Sequence, residues 1–277
     1  KKIFLGNGSD EIIDLCFRVF CNPGIDKALI FTPTYGMYQV SASVNDIEIV
    51  KIPLTGSFQI DIKKTEPFFS DKHLKLVFIC SPNNPTANSM NYTDVEYIIN
   101  KFNGIVVIDE AYIDFSEKPS FIKLVNKYPN LIIIQTFSKA FGLASVRVGM
   151  AFSDTAIIEY FNKVKPPYNI STINQKAVSG KIDQAEQFNR QVSRIKKERN
   201  RLSAILSKMN IIEKVYPSDA NFLLVKVKNA NYIYNELVKR NIIIRNRSNI
   251  VDNCLRITIG KKSENDQLIR ELKSISI

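Results

Sequence analysis

Tryptophan is absent from this 277-residue chain, and histidine occurs once, at His73 among lysines. Cysteine occurs four times, at Cys16, Cys21, Cys80 and Cys254. None of the four has the paired spacing of a zinc site, so a structural zinc centre, or any other metal, is not expected. Each falls in an apolar run and reads as a buried thiol rather than half of a disulfide. No apolar run is long enough to span a bilayer, and no secretory signal pattern is present. A phosphate loop of the form GxxxxGKS/T is also missing, which removes the ATPase reading of a strand-end carboxylate. These absences leave a cytoplasmic enzyme as the expectation, with no membrane partner.

Apolar residues make up 45% of the chain, enough for a proper core in one large domain or two smaller ones. Lys plus Arg number 38 against 27 Asp plus Glu, for a formal charge of +11. Such an excess fits nucleic acid, a membrane surface or an anionic small ligand. Most of these lysines are scattered, and the densest basic run, residues 194–201, falls in a long polar helix. Nucleic-acid binding is therefore not expected. The abundance of Lys, Ile and Asn reads as compositional drift as much as function.

Roughly the first two thirds of the chain alternate strand and helix. Helices are expected at 10–20, 35–43 and 92–102, and strands at 28–31, 46–52, 76–80, 104–109, 131–136 and 146–152. Short, β-branched strands between helices imply an α/β fold with a mostly parallel sheet covered on both faces. Residues 1–5 read as the tail of an element. A helix at 154–164 ends at KPPY, and one long charged helix is expected at 183–209. A smaller α+β domain follows, with strands at 211–216, 221–227, 242–245 and 254–259 and helices at 232–240 and 264–275. The expected domains are 1–170 and 209–277, joined by a helical connector at 171–208.

In such sheets ligands bind beyond the carboxyl ends of the strands. The conspicuous polar sequences SPNN, DEAY and SK stand at those ends. Asp109 ends the apolar strand of VVIDEAY, where a carboxylate pairs well with a protonated ring nitrogen; alone, it would read as a loop acid. Lys139 follows a strand, with Ser138 before it and Arg147 eight residues on. A lysine so placed is able to form a Schiff base, although in isolation it would be one more surface lysine. GNGSDE puts Ser9 and Asp10 at a helix start, whose free N–H groups suit a phosphate but more often need only a cap. Asn84 offers a side-chain amide, or simply an Asn-Pro turn. Tyr35 offers a flat ring for stacking. Arg245 and Arg256 carry forked donors for carboxylate or phosphate, or for structural ion pairs.

Taken in order, GNGSDEIIDLCFRVFCNPG, PTYGMY, CSPNNPTA, DEAYIDF, TFSKAFGLASVRVG, NIIIR and CLRITIG resemble the histidinol-phosphate aminotransferase family of class II aminotransferases. The resemblance covers essentially the whole chain. It implies the fold type I of the pyridoxal-phosphate-dependent transferases, the cofactor pyridoxal 5′-phosphate, and a homodimer. It also implies transfer of an amino group between L-histidinol phosphate and 2-oxoglutarate, both small molecules. Lys139 then resembles the lysine bonded to the cofactor, and Asp109 the partner of its ring nitrogen. Tyr112 and Asn84 resemble the pair at the phenolic oxygen, and Tyr35 the residue stacked over the ring. Ser9, Asp10, Ser138 and Arg147 resemble the cofactor phosphate site. Arg256 matches the arginine at the acidic end of the substrate, and Arg245 a further substrate-side arginine, a candidate for the substrate phosphate. Asn221 matches a familiar position without an assigned role.

The alternatives are an aromatic or other aminotransferase of the group, a threonine-phosphate decarboxylase, or, in a different class, a non-catalytic basic binding module. Two departures from the family pattern stand out. Ala87 replaces the usual Gly, which a methyl group tolerates if the backbone there is not left-handed. The family also carries an N-terminal arm ahead of GNGSDE, so residues are expected to precede Lys1.

Overall fold

A computed structural model describes residues 2–275; Lys1 of the expected opening element and the last two residues of the expected small domain lie outside them. The strands are β1 (Ile3–Gly6), β2 (Lys27–Thr32), β3 (Glu48–Pro53), β4 (Leu74–Cys80), β5 (Ile105–Asp109), β6 (Leu131–Thr136), β7 (Gly149–Ser153), β8 (Ile212–Val215), β9 (Phe222–Val227), β10 (Arg245–Asn246) and β11 (Cys254–Thr258). The helices are α1 (Gly8–Phe20), α2 (Met37–Val44), α3 (Ile62–Thr65), α4 (Tyr92–Lys101), α5 (Thr155–Val164), α6 (Thr172–Ile182), α7 (Ala185–Leu206), α8 (Ala230–Lys239) and α9 (Lys262–Ser274).

The larger sheet has the order β1-β7-β6-β5-β4-β2-β3. The run from β3 to β6 is parallel, and β7 and β1 are antiparallel additions at one edge. Its all-apolar strands are explained by burial on both faces. Successive residues go to opposite faces: Leu76, Phe78 and Cys80 of β4 join one core with Ile12, Ile13 and Phe17 of α1. Val77 and Ile79 join the other with Val95, Ile98 and Ile99 of α4. A buried side chain of this size contributes about 1.5–3 kcal/mol, so neither face tolerates a register slip. Strand order reverses between β2 and β4, which opens a crevice at their carboxyl ends.

The smaller domain is an antiparallel sheet in the order β10-β11-β9-β8. It packs against α7, α8 and α9 through Leu202, Leu206, Ile233, Leu237, Leu268 and Leu272. A separate cluster joins the two sheets: Ala87, Tyr112 and Phe115 from one side meet Val192, Ala220 and Phe222 from the other. Arg199 occupies a place on the buried stripe of α7 and donates through Nη1 to the carbonyls of Phe115 and Ala220, at 3.1 and 2.8 Å.

Two points need correction. The helix expected at 183–209 is α7 (Ala185–Leu206), and the connector also holds a helix that the sequence does not announce, α6 (Thr172–Ile182). α6 buries only Val178, so it carries no apolar periodicity to read. The strand at 242–245 shrinks to Arg245–Asn246: Ile243 is exposed, while Ile244 is buried in the core and Ile242 packs against it without strand pairing.

Candidate active site

The carboxyl ends of β2, β4, β5 and β6 deliver Thr32, Cys80, Asp109 and Thr136 to one edge of the sheet. Beyond that edge lies a cleft of about 260 Å³. Every residue singled out from the sequence for chemistry lines it: Ser9, Asp10, Tyr35, Asn84, Asp109, Tyr112, Ser138, Lys139, Arg147, Arg245 and Arg256. Asn221 is not among its walls; its carbonyl accepts from Ile259 N instead.

Asp109 sits on the floor, 2% exposed. Its Oδ1 accepts from Ala111 N at 3.0 Å, and its Oδ2 from the Tyr38 hydroxyl at 2.8 Å. Burial raises its pKa above the ordinary carboxylate value, against the lowering effect of those two donors. Tyr38 is itself locked from below: its ring stacks on Phe78 at 5.0 Å, and Phe78 stacks on Phe17 at 5.1 Å. The core thus sets the height and tilt of the acid in the cleft.

Lys139 projects from the loop after β6, its Nζ 5.4 Å from the centre of the Tyr112 ring. The residue is open to solvent at the mouth, but its surroundings remove water from the ammonium and, with the Arg256 charge, lower its pKa. Tyr112 is buried, and burial pushes its hydroxyl up to about 12, so it is a neutral O–H donor at ordinary pH.

Arg147 has a left-handed backbone (φ 52) and reaches back to the start of α1, where Nη2 bonds Asp10 Oδ2 at 3.1 Å. Asp10 Oδ1 accepts from the Tyr35 hydroxyl at 3.1 Å. The carboxylate of Asp10 thus orients Arg147 and Tyr35, and its own contribution toward a phosphate is the backbone N–H at the helix start. Gly8 (φ 75) leaves no room for a Cβ, because the Arg147 guanidinium lies against its bare backbone.

Asn83 and Asn84 of SPNNPT have separate duties. Asn83 binds the Pro33 carbonyl at 2.8 Å and Thr34 Oγ1 at 2.9 Å, tying the end of β4 to that of β2. Asn84 Oδ1 accepts from Arg256 Nη1 at 2.7 Å, which leaves its amide N–H groups as donors. Arg256 also lies over the Phe222 ring, 4.9 Å from its centre. Ala87 is fully buried at φ 71, so the backbone is left-handed where the family pattern carries Gly. This conformation turns its carbonyl to Asp219 N at 2.8 Å.

The sequence reading missed three participants. Tyr38 stands three residues after Tyr35 in the same PTYGMY segment, and the two rings meet edge to face at 5.7 Å. Cys80 ends β4 directly beside Asp109 in register. Arg247 lines the cleft two residues after Arg245, and strand alternation would have found it.

Comparison with known proteins follows the same outline. The model of the family described as aminotransferase class I and II matches residues 1–272. The histidinol-phosphate aminotransferase of Flavobacterium psychrophilum is 47% identical over 277 residues, covering 99% of this chain and 80% of that protein. The crystal structure of the histidinol-phosphate aminotransferase from Clostridium acetobutylicum superposes with a TM-score of 0.91 at 28% identity, over 98% of this chain and 83% of that one. The Sinorhizobium meliloti histidinol-phosphate aminotransferase, solved in complex with pyridoxal-5′-phosphate, has the same fold, with a TM-score of 0.87 at 21% identity, covering 98% of this chain and 76% of that one. A match of this extent, over a cleft of this composition, makes the chain a member of the aminotransferase class I and II family, on its histidinol-phosphate aminotransferase branch.

Proposed function

We propose that the chain transfers the amino group of L-histidinol phosphate to 2-oxoglutarate, giving imidazole-acetol phosphate and glutamate in histidine biosynthesis. One observation carries this reading: an amine, a buried carboxylate, two neutral ring-side donors and unpaired guanidinium groups share a single cleft.

The residues fit pyridoxal 5′-phosphate. Asp109 is a buried acid whose ionised form is disfavoured until a cation comes against it, and a protonated ring nitrogen is such a cation. Ser9, Ser138, Arg147 and the N–H groups opening α1 would hold the phosphate. Tyr112 and the Asn84 amide would donate to the phenolic oxygen, and Tyr35 would cover the ring. Lys139 Nζ would hold the group covalently. When bound, the cofactor supplies a conjugated ring that takes up the electron pair left on the substrate carbon.

The remaining work falls to this chain's own side chains. Lys139, once its amine is free, takes the proton from the substrate carbon at Nζ and later returns it. Its lowered pKa keeps more of the amine in the basic form needed for that task. Asp109 keeps the ring nitrogen protonated. Arg256 and Arg245 bind the anionic ends of donor and acceptor. A panel of donors tests the assignment. L-histidinol phosphate should exceed aromatic amino acids in kcat/KM by at least about tenfold, a difference of about 1.4 kcal/mol. Preference for an aromatic donor, or release of carbon dioxide from threonine phosphate, would remove it.

We also propose the division into domains at 1–170 and 209–277, with 171–208 between them, and a homodimer. Exposed apolar side chains support the latter: Ile3 and Leu5 on the edge strand β1, and Tyr160, Val164, Tyr168 and Ile173 nearby in the chain after it closes on Leu5 through Asn169. Light scattering at working concentration would give twice the chain mass. Four free, buried cysteines support a reducing compartment, and hence the cytoplasm.

A further inference from the structure

Three arginines face one end of the cleft, and the proposed function employs two of them. β10 sets Arg245 directly opposite Arg256 of β11. The Arg247 backbone N–H donates to the Cys254 carbonyl at 2.9 Å, which continues that pairing by two residues. Alternation therefore puts Arg245, Arg247 and Arg256 on one face of the small sheet. Asn246 lies on the other, its amide bonded to Asn231 Oδ1 at 2.6 Å.

These arginines differ from the ion-paired ones elsewhere in the chain. Arg147 is paired with Asp10, and Arg201 with Glu198 and Asp266. Among the described residues, neither Arg245, Arg247 nor Arg256 has a carboxylate partner. Arg256 has other engagements, on Asn84 and over Phe222. The Arg247 side chain makes no hydrogen bond to any described residue, and its Nε is buried without a partner. A surface arginine would keep its guanidinium wet, and a structural one would be paired. A half-buried, unpaired guanidinium beside two others is costly unless an anion completes it.

Charge and donor count indicate which anion. A carboxylate brings one charge and two acceptor atoms, which one fork satisfies. A phosphate ester brings a charge of about −1.5 to −2 and three terminal oxygens. Only the second matches three forks that repel one another while the site is open.

We propose that Arg247 is a specificity-determining residue: it binds the terminal phosphate of the amino donor, and through it the site prefers a phosphate ester to a hydroxyl or carboxylate at the same position. The proposal rests on the aminotransferase reading above. Arg256 and Arg245 suffice for the acceptor's carboxylate, so the cost of losing Arg247 falls unequally on the two half-reactions.

The test uses the cofactor-loaded protein and two neutral variants, Arg247→Met and Arg247→Gln. Three quantities are measured: kcat/KM for L-histidinol phosphate, kcat/KM for L-histidinol, and the dissociation constant of inorganic phosphate by calorimetry. Loss of charge-assisted hydrogen bonds should lower kcat/KM for the phosphate ester by roughly 10- to 100-fold, mostly through KM. The ratio of the two donors should fall by at least about tenfold, and phosphate should bind correspondingly more weakly. An unchanged donor ratio together with unchanged phosphate binding would overturn the proposal, and so would an equal loss on both donors. If the wild-type protein does not use L-histidinol phosphate at all, the assignment of that donor fails by itself. The phosphate measurement still decides Arg247 in that case. The Gln variant keeps a polar group at the half-buried site and serves if the Met variant does not fold.

Discussion

The Tyr38 hydroxyl donates to Asp109 Oδ2 at 2.8 Å, at the end of a buried stack that runs from Phe17 through Phe78. The acid of the cleft is thus held by the hydrophobic core rather than by a surface loop. Replacing Tyr38 by Phe keeps the stack and removes one donor from a carboxylate. Hydrogen bonds to charged groups are worth about 1.5–3 kcal/mol. The Tyr38→Phe protein should fold normally and bind pyridoxal phosphate roughly 10- to 100-fold more weakly. Equilibrium dialysis of the cofactor measures this, and an unchanged affinity would show that the contact is not needed.

Asp109 should also have opposite effects in the cofactor-free and loaded forms. Its folded pKa is raised above 3.8 by burial. A carboxyl shifted in that direction contributes its full stability only below the unfolded value, and the contribution is lost as pH rises through the folded one. At neutral pH, cofactor-free Asp109→Asn protein should therefore be more stable than wild type. The advantage should vanish below pH 3.8. Added cofactor should raise the Tm of wild type far more than that of the variant. Thermal melts over pH, with and without cofactor, read all three. A variant less stable than wild type at neutral pH without cofactor contradicts the account.

Gly149 of β7 has the start of α1 directly above it. A Cβ there would stand 2.6 Å from both Gly8 C and Ser9 N. These are backbone atoms, so the helix start itself must shift. Gly149→Ala should cost about 1–3 kcal/mol, the usual range for overpacking. It should also weaken cofactor binding, because the displaced N–H groups are the ones proposed to hold the phosphate. Urea unfolding gives the first quantity and cofactor titration the second. Loss of stability with no loss of affinity would detach α1 from the phosphate site.

Ala87 departs from the family pattern at a left-handed position, φ 71. A left-handed non-glycine residue costs about 1–2 kcal/mol. Glycine would remove that cost. It would give back about 0.4–1 kcal/mol of unfolded-state entropy and about 0.8 kcal/mol from the lost buried methyl group. The effects nearly cancel, so Ala87→Gly should change stability by less than about 1 kcal/mol. Ala87→Val adds β-branching in a fully buried left-handed site and should cost more than about 2 kcal/mol. Urea unfolding of both variants checks the pair. A large gain from glycine would mean that the strain is greater than the angle implies.

The sheet and its cleft were readable because β4, β5 and β6 are apolar on both faces and each ends in a polar motif. Asp109, Asn84 and Lys139 stand at those ends, where chain topology forces them together. Arg247 had a local signal in strand alternation, but most of what escaped reading had none. α6 buries only Val178, so its helical period is invisible. Ile242, Ile243 and Ile244 look like a strand, yet pairing begins only at Arg245. Tyr38 went unnoticed because its value lies in a contact with a residue 71 positions away. Arg199 read as one of many charges on a polar helix, although it sits on the stripe that α7 buries. Roles set by tertiary contact were hidden, whereas roles set by strand ends, Cys80 excepted, were not.

The central claim is that Lys139 is the amine that holds the cofactor and moves the proton. The most direct measurement is the visible spectrum of the protein with pyridoxal phosphate, for wild type and for Lys139→Ala. Wild type should show a protein-bound cofactor band that bleaches on adding L-histidinol phosphate and returns on adding 2-oxoglutarate, while Lys139→Ala shows neither the band nor the cycle. Identical spectra and responses from the two proteins would contradict the assignment.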